Sequence, residues 1–578
     1  GLRWSLLVAG SRREPGTILD VNAAAEPPPV APTHEPVPVW GHGHLDVAWL
    51  WTYAQARRKA MRTFANAAAI LDTDPSYVFV QSQPQLYAFV RDADPAFFAR
   101  VAAFVAQGRF DADVAAMWVE PDCNVPSGES LLRQIAFAHR FCTEALGIEP
   151  SIAWLPDTFG FARTLPTLLA HAGIKYFGTT KLQWNDTTRF AHPQFVWRGP
   201  DGGEVIAASL DRMEGGCGPE RVRVARERAE PLIVGYGDGG GGPTAELVHE
   251  VPSAGRWERP RTWFAALDAR RERLPVVDDE LYLEYHRGTY TTHHDVKAAN
   301  AELERGLRAA EEQAAWCVAV RAPKAPLARI NAALHAAWEI VLRNQFHDVL
   351  PGTSIADVYD DARDEYRHAA ALVAEAAASA GAILPRSIPR PPATLCVPRE
   401  DGDGFVFDNG FVSARVLRTG TIVDLAARGG RSCIAQANVL TQYRDVPRKW
   451  DAWNIDAGYD RRSQAARPQD AAVVEDALEV PLRIGKKSLA TMRISLAQGD
   501  PFLRVETAIE WRQRRRLLRL ENWLALEADA VTYGAPHGTV MRSAKDDTPE
   551  RRARFEVPGQ RYALARDANG DGLAIFSL

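Results

Sequence analysis

The chain has 578 residues, of which 46% are hydrophobic and 24% charged, and its formal net charge at pH 7 is −5. This length predicts several domains, and the composition is that of an ordinary globular protein. The sequence has no basic stripe with interleaved aromatic residues and no apolar run near the roughly 18 residues of a membrane span, so neither nucleic acid nor a membrane is an expected partner.

The first half of the chain predicts a short N-terminal remnant followed by a βα domain. Residues 1–37 would be what remains of an N-terminal region, ending in a proline-rich linker. From 38 to 290, strand-like and helix-like stretches alternate, which predicts βα units in a parallel sheet or an irregular parallel barrel. Predicted strands lie at 37–40, 77–81, 151–154, 175–180 and 232–235, and predicted helices at 50–71, 129–146 and 164–172.

Helical and then strand-like patterns occupy the second half. Long Ala-rich stretches at 296–320, 327–346 and 355–383 predict a three-helix bundle over 291–385. After a second proline-rich linker, residues 386–578 alternate in short strands, which predicts a β-sandwich that is incomplete at its C-terminal end. The predicted fold class is therefore a multidomain chain with α/β, α and β parts.

Six cysteines are scattered along the chain, and none forms a C-x-x-C pair. This pattern is typical of reduced thiols in a cytoplasmic protein. The expected location is therefore the cytoplasm.

The segment Gly41–Trp49, with the sequence GHGHLDVAW, follows the first predicted strand of the βα domain. His44 and Asp46 are two residues apart, so in an extended segment their side chains point to the same side. An imidazole and a carboxylate directed together suit a divalent metal such as zinc. On its own, such a pair is a weak signal and more often belongs to an ordinary polar loop.

Two distant segments add further side chains that can bind a metal. Asp157 follows a predicted strand, and His347 stands where a predicted helix ends. Proteins of the α/β class place their chemistry where regular elements end. Together the three segments supply His44, Asp46, Asp157 and His347, which are two imidazoles and two carboxylates.

Five motifs in this order resemble glycoside hydrolase family 38, the retaining α-mannosidases. Three of them are H-x-H-x-D-x-x-W, W-x-P-D-T-F-G and Q-F-H-D-V-x-P-G-T, and the others are the glycine-rich loop 235–243 and the segment 286–292. The last two, with 118–121 and 126–129, are most similar to the cytosolic and bacterial branch of the family. The resemblance runs from about residue 38 to the end, and it implies that 38–290 is a catalytic domain acting on oligosaccharides with terminal α-linked mannose.

The resemblance also implies a division of roles within the site. Retaining glycosidases use two carboxyl groups about 5–5.5 Å apart, one as nucleophile and the other as acid/base. Asp157 would be the nucleophile, and it would share one divalent ion with His44, Asp46 and His347. The ion would be zinc, with cobalt as the alternative. Asp238 in the glycine-rich loop would be the acid/base, although a flexible turn or a helix-capping Asp is a competing interpretation.

Three further residues are expected to contact the sugar. Trp49 would stack on its apolar face, Asp348 would bond its hydroxyl groups, and His42 would line the pocket. A core tryptophan and a satisfied helix end are the competing interpretations of Trp49 and Asp348. Segment 211–230 is shorter and more highly charged than the family pattern. Assembly into a homo-oligomer is left open.

Two other functions are compatible with these residues. A metal-dependent carbohydrate deacetylase would activate water at an open metal position and would not need Asp238. An inactive sugar-binding relative would bind mannose without turning it over. Hydrolysis of an aryl α-mannoside, measured with and without a chelator, distinguishes a mannosidase from the deacetylase and from the inactive relative.

Overall fold

The computed structural model describes residues 3–7, 36–384 and 393–577. The described chain divides into two compact units. The first holds 36–384 with the short loop 535–538, and the second holds 3–7, 393–534 and 539–577. Most of the predicted N-terminal remnant and both predicted proline-rich linkers lie outside the described residues.

The first unit begins with alternating strands and helices. The strands that precede the helical bundle in the chain are β1 Arg3–Leu7, β2 Val37–His42, β3 Phe79–Val80, β4 Phe110–Asp111, β5 Ile152–Trp154, β6 Tyr176–Thr179, β7 Gln194–Arg198, β8 Glu204–Ser209, β9 Leu232–Val234, β10 Gly255–Trp257 and β11 Val276–Val277. The helices of this region are α1 Tyr53–Thr73, α2 Pro84–Ala93, α3 Pro95–Ala106, α4 Gly128–Phe141, α5 Leu165–His171, α6 Pro219–Arg228, α7 Ala245–Ala254 and α8 Pro260–Asp268.

These strands form two sheets of five strands each, apart from β1, which belongs to the second unit and pairs with another strand of that unit. The first sheet has the order β10-β2-β3-β4, with β9 also beside β2, and every pair in it is parallel. The second has the order β11-β7-β8-β6-β5, and its β7–β8 pair is antiparallel. The α/β architecture is therefore confirmed, the expectation of wholly parallel strands is wrong at β7, and closure into a barrel is not confirmed.

The antiparallel pair has a simple local cause. The segment Gly199–Gly203 turns back on itself, with Gly199 N bonded to Gly203 O at 2.8 Å and Gly203 N to the Asp201 side chain at 3.0 Å. A connection this short can join only antiparallel neighbours, because a parallel pair needs a crossover of a dozen or more residues. The G-P-D-G-G sequence was the signal for this turn.

The helical bundle follows as α9 His294–Ala319, α10 Lys324–Asn344 and α11 Ala356–Gly381. Each of the three helices packs against the other two. Buried residues such as Leu303, Leu334 and Trp338 share one hydrophobic core with the α1–α3 region, so the helical middle part of the chain is confirmed. The core holds the end of α10 against the βα sheets, and the candidate site depends on that placement.

The second unit is rich in β-strands, as predicted. Its elements are β12 Arg399–Asp401, β13 Gly404–Asp408, β14 Val412–Leu417, β15 Ile422–Ala427, β16 Ile434–Arg444, β17 Ser463–Ala465, β18 Arg467–Pro468, β19 Ala472–Val474, β20 Ala477–Ile484, β21 Ser488–Ser495, β22 Arg504–Glu510, β23 Arg516–Leu524, β24 Ala530–Ala535, β25 Gly538–Ser543, α12 Pro549–Ala553, β26 Gln560–Arg566 and β27 Gly572–Phe576.

Three sheets make up this unit. The largest runs β1-β23-β16-β15-β14-β13-β12, the second contains β18 to β22, and the third has the order β25-β24-β26-β27. Phe407 and Leu520 of the first sheet share a core with Val480 and Ile494 of the second. Two sheets that bury one core between them form the packing that a sandwich requires. No helix in the described ranges is both long and apolar enough to cross a bilayer.

Candidate metal centre and active site

The segment after β2 carries His44 and Asp46, and the glycine-rich loop after β9 holds it in place. Asp46 N donates to Asp238 O at 2.9 Å, and Gly240 N donates to His44 O at 3.1 Å. Both side chains, His44 and Asp46, are buried. The backbone pairing therefore fixes the direction in which the two side chains leave the chain.

Asp157 stands just beyond the carboxyl end of β5. Leu155 N donates to Gly178 O at 2.9 Å, and Thr180 N donates to Pro156 O at 3.1 Å. These bonds keep the chain paired with β6 past the end of the strand. The Asp157 carboxylate is consequently held at the edge of the sheet, where parallel strands expose their carboxyl ends.

His347 comes from the helical bundle and stands three residues after the end of α10. Its backbone N and its ring Nδ1 both bond to the carbonyl oxygen of Glu120, at 3.0 and 3.2 Å. Asp122 N also donates to Gln345 O at 2.8 Å, so the two segments interlock. In a neutral His347 ring, the bond to the Glu120 carbonyl would place the proton on Nδ1 and leave the Nε2 lone pair for a metal, the usual arrangement of a metal-binding histidine.

The four predicted ligands meet at His347, where their donor atoms form two overlapping groups: His44 with Asp46 and His347, and His347 with Asp157 and Asp348. His347 Nε2 lies 3.5 Å from Asp46 Oδ1 and 3.4 Å from Asp157 Oδ2, and His44 Nε2 lies 3.7 Å from Asp46 Oδ1. Tetrahedral ligand atoms about 2.1 Å from a metal would be roughly 3.4 Å apart. Within the described residues, the buried atoms His44 Nε2, Asp46 Oδ1 and His347 Nε2 have no hydrogen-bond partner. This donor set fits a divalent cation.

The charges in the cluster also favour a cation. Burial alone would lower the pKa of His347, but the carboxylates of Asp157 and Asp46 raise it to about 10. Burial likewise opposes protonation of His44, yet Glu120 and Asp46 hold its pKa above the usual value. Positive charge is thus favoured at both imidazoles, and a divalent ion would bring that charge while leaving the rings neutral.

Lys181 places an ammonium group against Asp157, and the sequence analysis missed it. Its Nζ pairs with Asp157 Oδ1, its side chain is 6% exposed, and it lies 4.1 Å from the centre of the Trp184 ring. Burial opposes ionisation of Asp157, but Lys181 and His347 hold the pKa of this carboxyl below its usual range. The sequence signal that could have identified Lys181 was its position: it lies two residues after the end of β6, just as Asp157 lies three residues after the end of β5.

Asp238 lies at the outer edge of the cluster. Its Oδ1 is 3.4 Å from His44 Nδ1, and its side chain is 41% exposed. The carboxylate can therefore orient the His44 ring and still remain accessible from outside. This contact with His44 was not part of the predicted role of Asp238.

Glu214 brings a second carboxylate to the same edge. Its Oε2 is buried and has no hydrogen-bond partner among the residues described. Burial, and then the charge of Asp238, raise the pKa of Glu214. The residue lies in the charged segment 211–230, whose departure from the family pattern hid it from the sequence analysis.

The three residues predicted to contact the sugar, Trp49, Asp348 and His42, differ in their exposure and in their distance from the proposed metal donors. Trp49 is partly exposed and packs edge-on against Trp51, with ring centres 6.0 Å apart. Asp348 is buried with Oδ2 3.6 Å from His347 Nε2, so it borders the metal donors, and burial raises its pKa to about 7. Their predicted contacts with sugar remain predictions.

His42 lies behind the cluster. Its Nε2 accepts from Trp154 Nε1 at 3.1 Å, and its Nδ1 bonds to Met213 O at 3.0 Å. Burial lowers its pKa to about 4, which keeps the ring neutral. With both nitrogens engaged and the side chain 2% exposed, the geometry favours a structural role, and the predicted contact of His42 with sugar stays a prediction.

Comparison with known proteins identifies three successive family regions. Residues 36–255 match the glycosyl hydrolases family 38 N-terminal domain, 284–384 the alpha mannosidase middle domain, and 407–578 the glycosyl hydrolases family 38 C-terminal domain. The three matches follow the order of the βα region, the helical bundle and the β-rich unit.

Individual relatives agree with these matches. The chain is 30% identical to Alpha-mannosidase 2C1 of Homo sapiens over 93% of its own length and 59% of that protein, and 30% identical to Alpha-mannosidase of Saccharomyces cerevisiae over 90% and 55%. It therefore spans less than two thirds of either relative. The crystal structure of an alpha-mannosidase from Enterococcus faecalis V583 has the same fold, with a TM-score of 0.76 at 13% identity over 93% of this chain and 81% of that one. By these matches, the chain belongs to glycosyl hydrolase family 38.

Proposed function

We propose that this chain is the catalytic part of a metal-dependent retaining α-mannosidase that removes terminal α-linked mannose from oligosaccharides. The convergence of His44, Asp46, Asp157 and His347 carries the proposal, because these four donors come from three distant segments of a family 38 chain. The substrate class is inferred from the relatives, which are named alpha-mannosidases.

His44, Asp46, Asp157 and His347 would hold one divalent ion, zinc in our proposal and cobalt as the alternative. When bound, the ion would hold sugar hydroxyl groups and favour the ionised form of Asp157. Metal binding requires neutral imidazoles of both histidines, so the ion would displace a proton from His347, and the bond from its Nδ1 to Glu120 O would keep the remaining proton on Nδ1.

Asp157 would act as the nucleophile. Its Oδ2 faces His347, whereas its Oδ1 pairs with Lys181, so the two carboxylate oxygens have different surroundings. In the first step, the Asp157 carboxylate forms a bond to the anomeric carbon, and the bond to the leaving oxygen breaks as that oxygen takes a proton from Asp238. In the second step, Asp238 removes a proton from water, water bonds to the anomeric carbon, and Asp157 leaves as a carboxylate.

Trp49 and Asp348 complete the proposed site. The partly exposed indole of Trp49 would stack on the sugar, and Asp348 would bond its hydroxyl groups. We also propose a cytoplasmic location, which the six free cysteines support. Assembly into a homo-oligomer stays a prediction.

Hydrolysis of an aryl α-mannoside by the purified protein, with and without chelator, tests the function. We expect hydrolysis that chelator abolishes and zinc restores, and proton NMR should detect α-mannose as the first product. First formation of β-mannose would rule out a nucleophilic Asp157. Release of acetate from an acetylated sugar without mannoside hydrolysis would instead support the deacetylase, and binding without turnover would support the inactive relative.

The acid/base assignment needs a comparison of Asp238→Ala with Glu214→Gln, because both carboxylates lie at the outer edge. If Asp238 is the acid/base, its variant should retain the first step better with a dinitrophenyl mannoside than with an alkyl mannoside. Azide, which needs no base, should then yield an α-mannosyl azide. Metal content must be measured in parallel, since Asp238 also contacts His44. If Glu214→Gln instead shows this dependence on the leaving group and forms the mannosyl azide, while Asp238→Ala only loses metal, Glu214 would be the acid/base.

A further inference from the structure

Glu120 is a buried carboxylate beside the proposed metal donors, and the mechanism above gives it no role. It lies in the irregular segment between β4 and α4, and its side chain is completely buried. A buried carboxylate is costly unless hydrogen bonds and positive charge compensate it. The surroundings of Glu120 therefore indicate what it interacts with.

One carboxylate oxygen of Glu120 faces three of the four proposed ligands. Oε2 lies 3.4 Å from His44 Nε2 and 4.0 Å from His347 Nδ1, and it accepts a long hydrogen bond of 3.5 Å from Asp157 N. Among the described residues, the Glu120 carboxylate forms ion-pair contacts with the imidazoles of His44 and His347. The charge of Glu120 is therefore directed at the metal centre.

The rest of Glu120 is anchored by neutral groups. Its Oε1 accepts from Ser82 Oγ and Gln83 Nε2, each at 3.3 Å, and its backbone N donates to Gln83 Oε1 at 3.2 Å. Its carbonyl oxygen accepts from His347, as described above. These bonds fix the carboxylate, so it can in turn fix the groups that it contacts.

Glu120 contacts a candidate donor, since its Oε2 lies 3.4 Å from His44 Nε2, but it belongs to neither group of mutually close donor atoms. The groups of donor atoms that all lie within 4.8 Å of one another are His44 with Asp46 and His347, and His347 with Asp157 and Asp348, and neither group includes Glu120. Carboxylates that contact ligands without binding the metal orient those ligands and raise their affinity for the cation.

We infer that Glu120 is a positioning residue of the metal centre, which holds His44, His347 and Asp157 in their ligating arrangement and adds negative charge that strengthens cation binding. This inference rests on the metal centre of the proposed function. The role requires both the charge of Glu120 and its reach, because the carboxylate acts across 3.4–4.0 Å.

Zinc affinity of the full chain, measured by competition with a chromophoric chelator, tests the inference without relying on activity. Glu120→Gln keeps the size and removes the charge, and we expect zinc binding to weaken about 10- to 100-fold. Glu120→Asp keeps the charge but shortens the reach, so its affinity should fall between those of Glu120→Gln and the wild type.

Asp122→Asn is the matched control. Asp122 is also buried and lies in the same segment, but its carboxylate bonds to the backbone N of Asn124 and Val125, at 2.8 and 2.7 Å, and not to the ligands. We expect this variant to bind zinc within a few-fold of the wild type.

Wild-type zinc affinity in Glu120→Gln, or an equal loss in Asp122→Asn, overturns the inference. If Glu120→Gln does not fold, Glu120→Asp decides: weaker binding supports the role and wild-type affinity contradicts it. A wild-type protein that binds no zinc refutes the proposed function itself, whereas a metal-binding mannosidase that is indifferent to Glu120 refutes only this inference.

Discussion

At the residue scale, the two oxygens of Asp157 have different partners. Oδ1 pairs with Lys181, and Oδ2 lies 3.4 Å from His347 Nε2 on the side of the metal donors. A nucleophile that ligates a cation through one oxygen must attack with the other. Lys181 is therefore in contact with the oxygen that would form and later release the bond to the sugar, where it would stabilise the returning negative charge.

We expect Lys181→Met to lower kcat/KM by about 100-fold, or roughly 2.7 kcal/mol, because the attacking oxygen loses its ammonium partner. Steady-state kinetics at saturating zinc, with metal content checked, measures this. Lys175→Met is the control, since Lys175 is exposed just before the other end of β6. Unchanged kcat/KM in fully metallated Lys181→Met would remove Lys181 from the mechanism.

Gly237 illustrates why the loop that carries Asp238 is rich in glycine. A Cβ atom at this position would lie 2.0 Å from Glu214 Oε2 and 3.2 Å from the Cβ of His44. The first contact would force the Glu214 carboxylate to move, and the second is tighter than ordinary van der Waals contact. The absence of a side chain at this position lets the two carboxylates of the outer edge, Glu214 and Asp238, come together beside His44.

At the element scale, the site depends on how the end of α10 is held. The Glu304 carboxylate on α9 accepts four hydrogen bonds, from Ser127 N at 3.0 Å, Ser130 Oγ at 2.6 Å, Asn300 Nδ2 at 3.2 Å and Gln345 Nε2 at 3.1 Å. Ser127 is the N-cap of α4, and Gln345 stands two residues before His347. One buried carboxylate therefore joins the bundle, the βα region and the segment that carries the proposed ligand His347.

Glu304→Ala should destabilise the protein by about 2–4 kcal/mol, because it leaves several buried donors without an acceptor. Urea unfolding measures the change, and zinc affinity should also fall because Gln345 loses a partner close to His347. Glu302→Ala, an exposed position on the same helix, should change stability by less than about 0.5 kcal/mol. Equal stabilities of the two variants would show that the Glu304 network is dispensable.

At the scale of the whole molecule, the proposed ligands all belong to the first unit and none to the β-rich unit. The proposed ligands come from three segments, around His44 and Asp46, Asp157 and His347, and more than a hundred residues separate each segment from the next. The cluster therefore exists only when the sheets and the bundle are folded together. A cation that binds this folded cluster and not the unfolded chain must stabilise the first unit.

Chelation should therefore lower the thermal stability of the first unit. Ligand at 100 times its Kd contributes about 2.7 kcal/mol, so differential scanning calorimetry should record a melting temperature several degrees lower after metal removal. Addition of zinc or cobalt should restore it, and magnesium, which prefers oxygen ligands, should not. The same melting temperature before and after verified metal removal would contradict a metal centre formed by folding.

The sequence alone was enough to predict features that depend on local pattern. Periodicity predicted α9, α10 and α11 to within a few residues, and the spacing of His44 and Asp46 predicted two donors on one side of an extended segment. The short motifs identified the family, which the matches along the chain confirmed. Each of these features is set by neighbours close in sequence, so it can be seen in a single segment.

Only the tertiary structure decided which distant groups meet. The pairing of Lys181 with Asp157, the occupied nitrogens of His42 and the contacts of Glu120 with the proposed ligands all join residues far apart in the chain. Isolated Lys, His or Glu residues have no periodicity that marks them, and their partners are fixed by the packing of sheets against the bundle. Their roles therefore become visible only where burial removes water and each polar atom must find another partner.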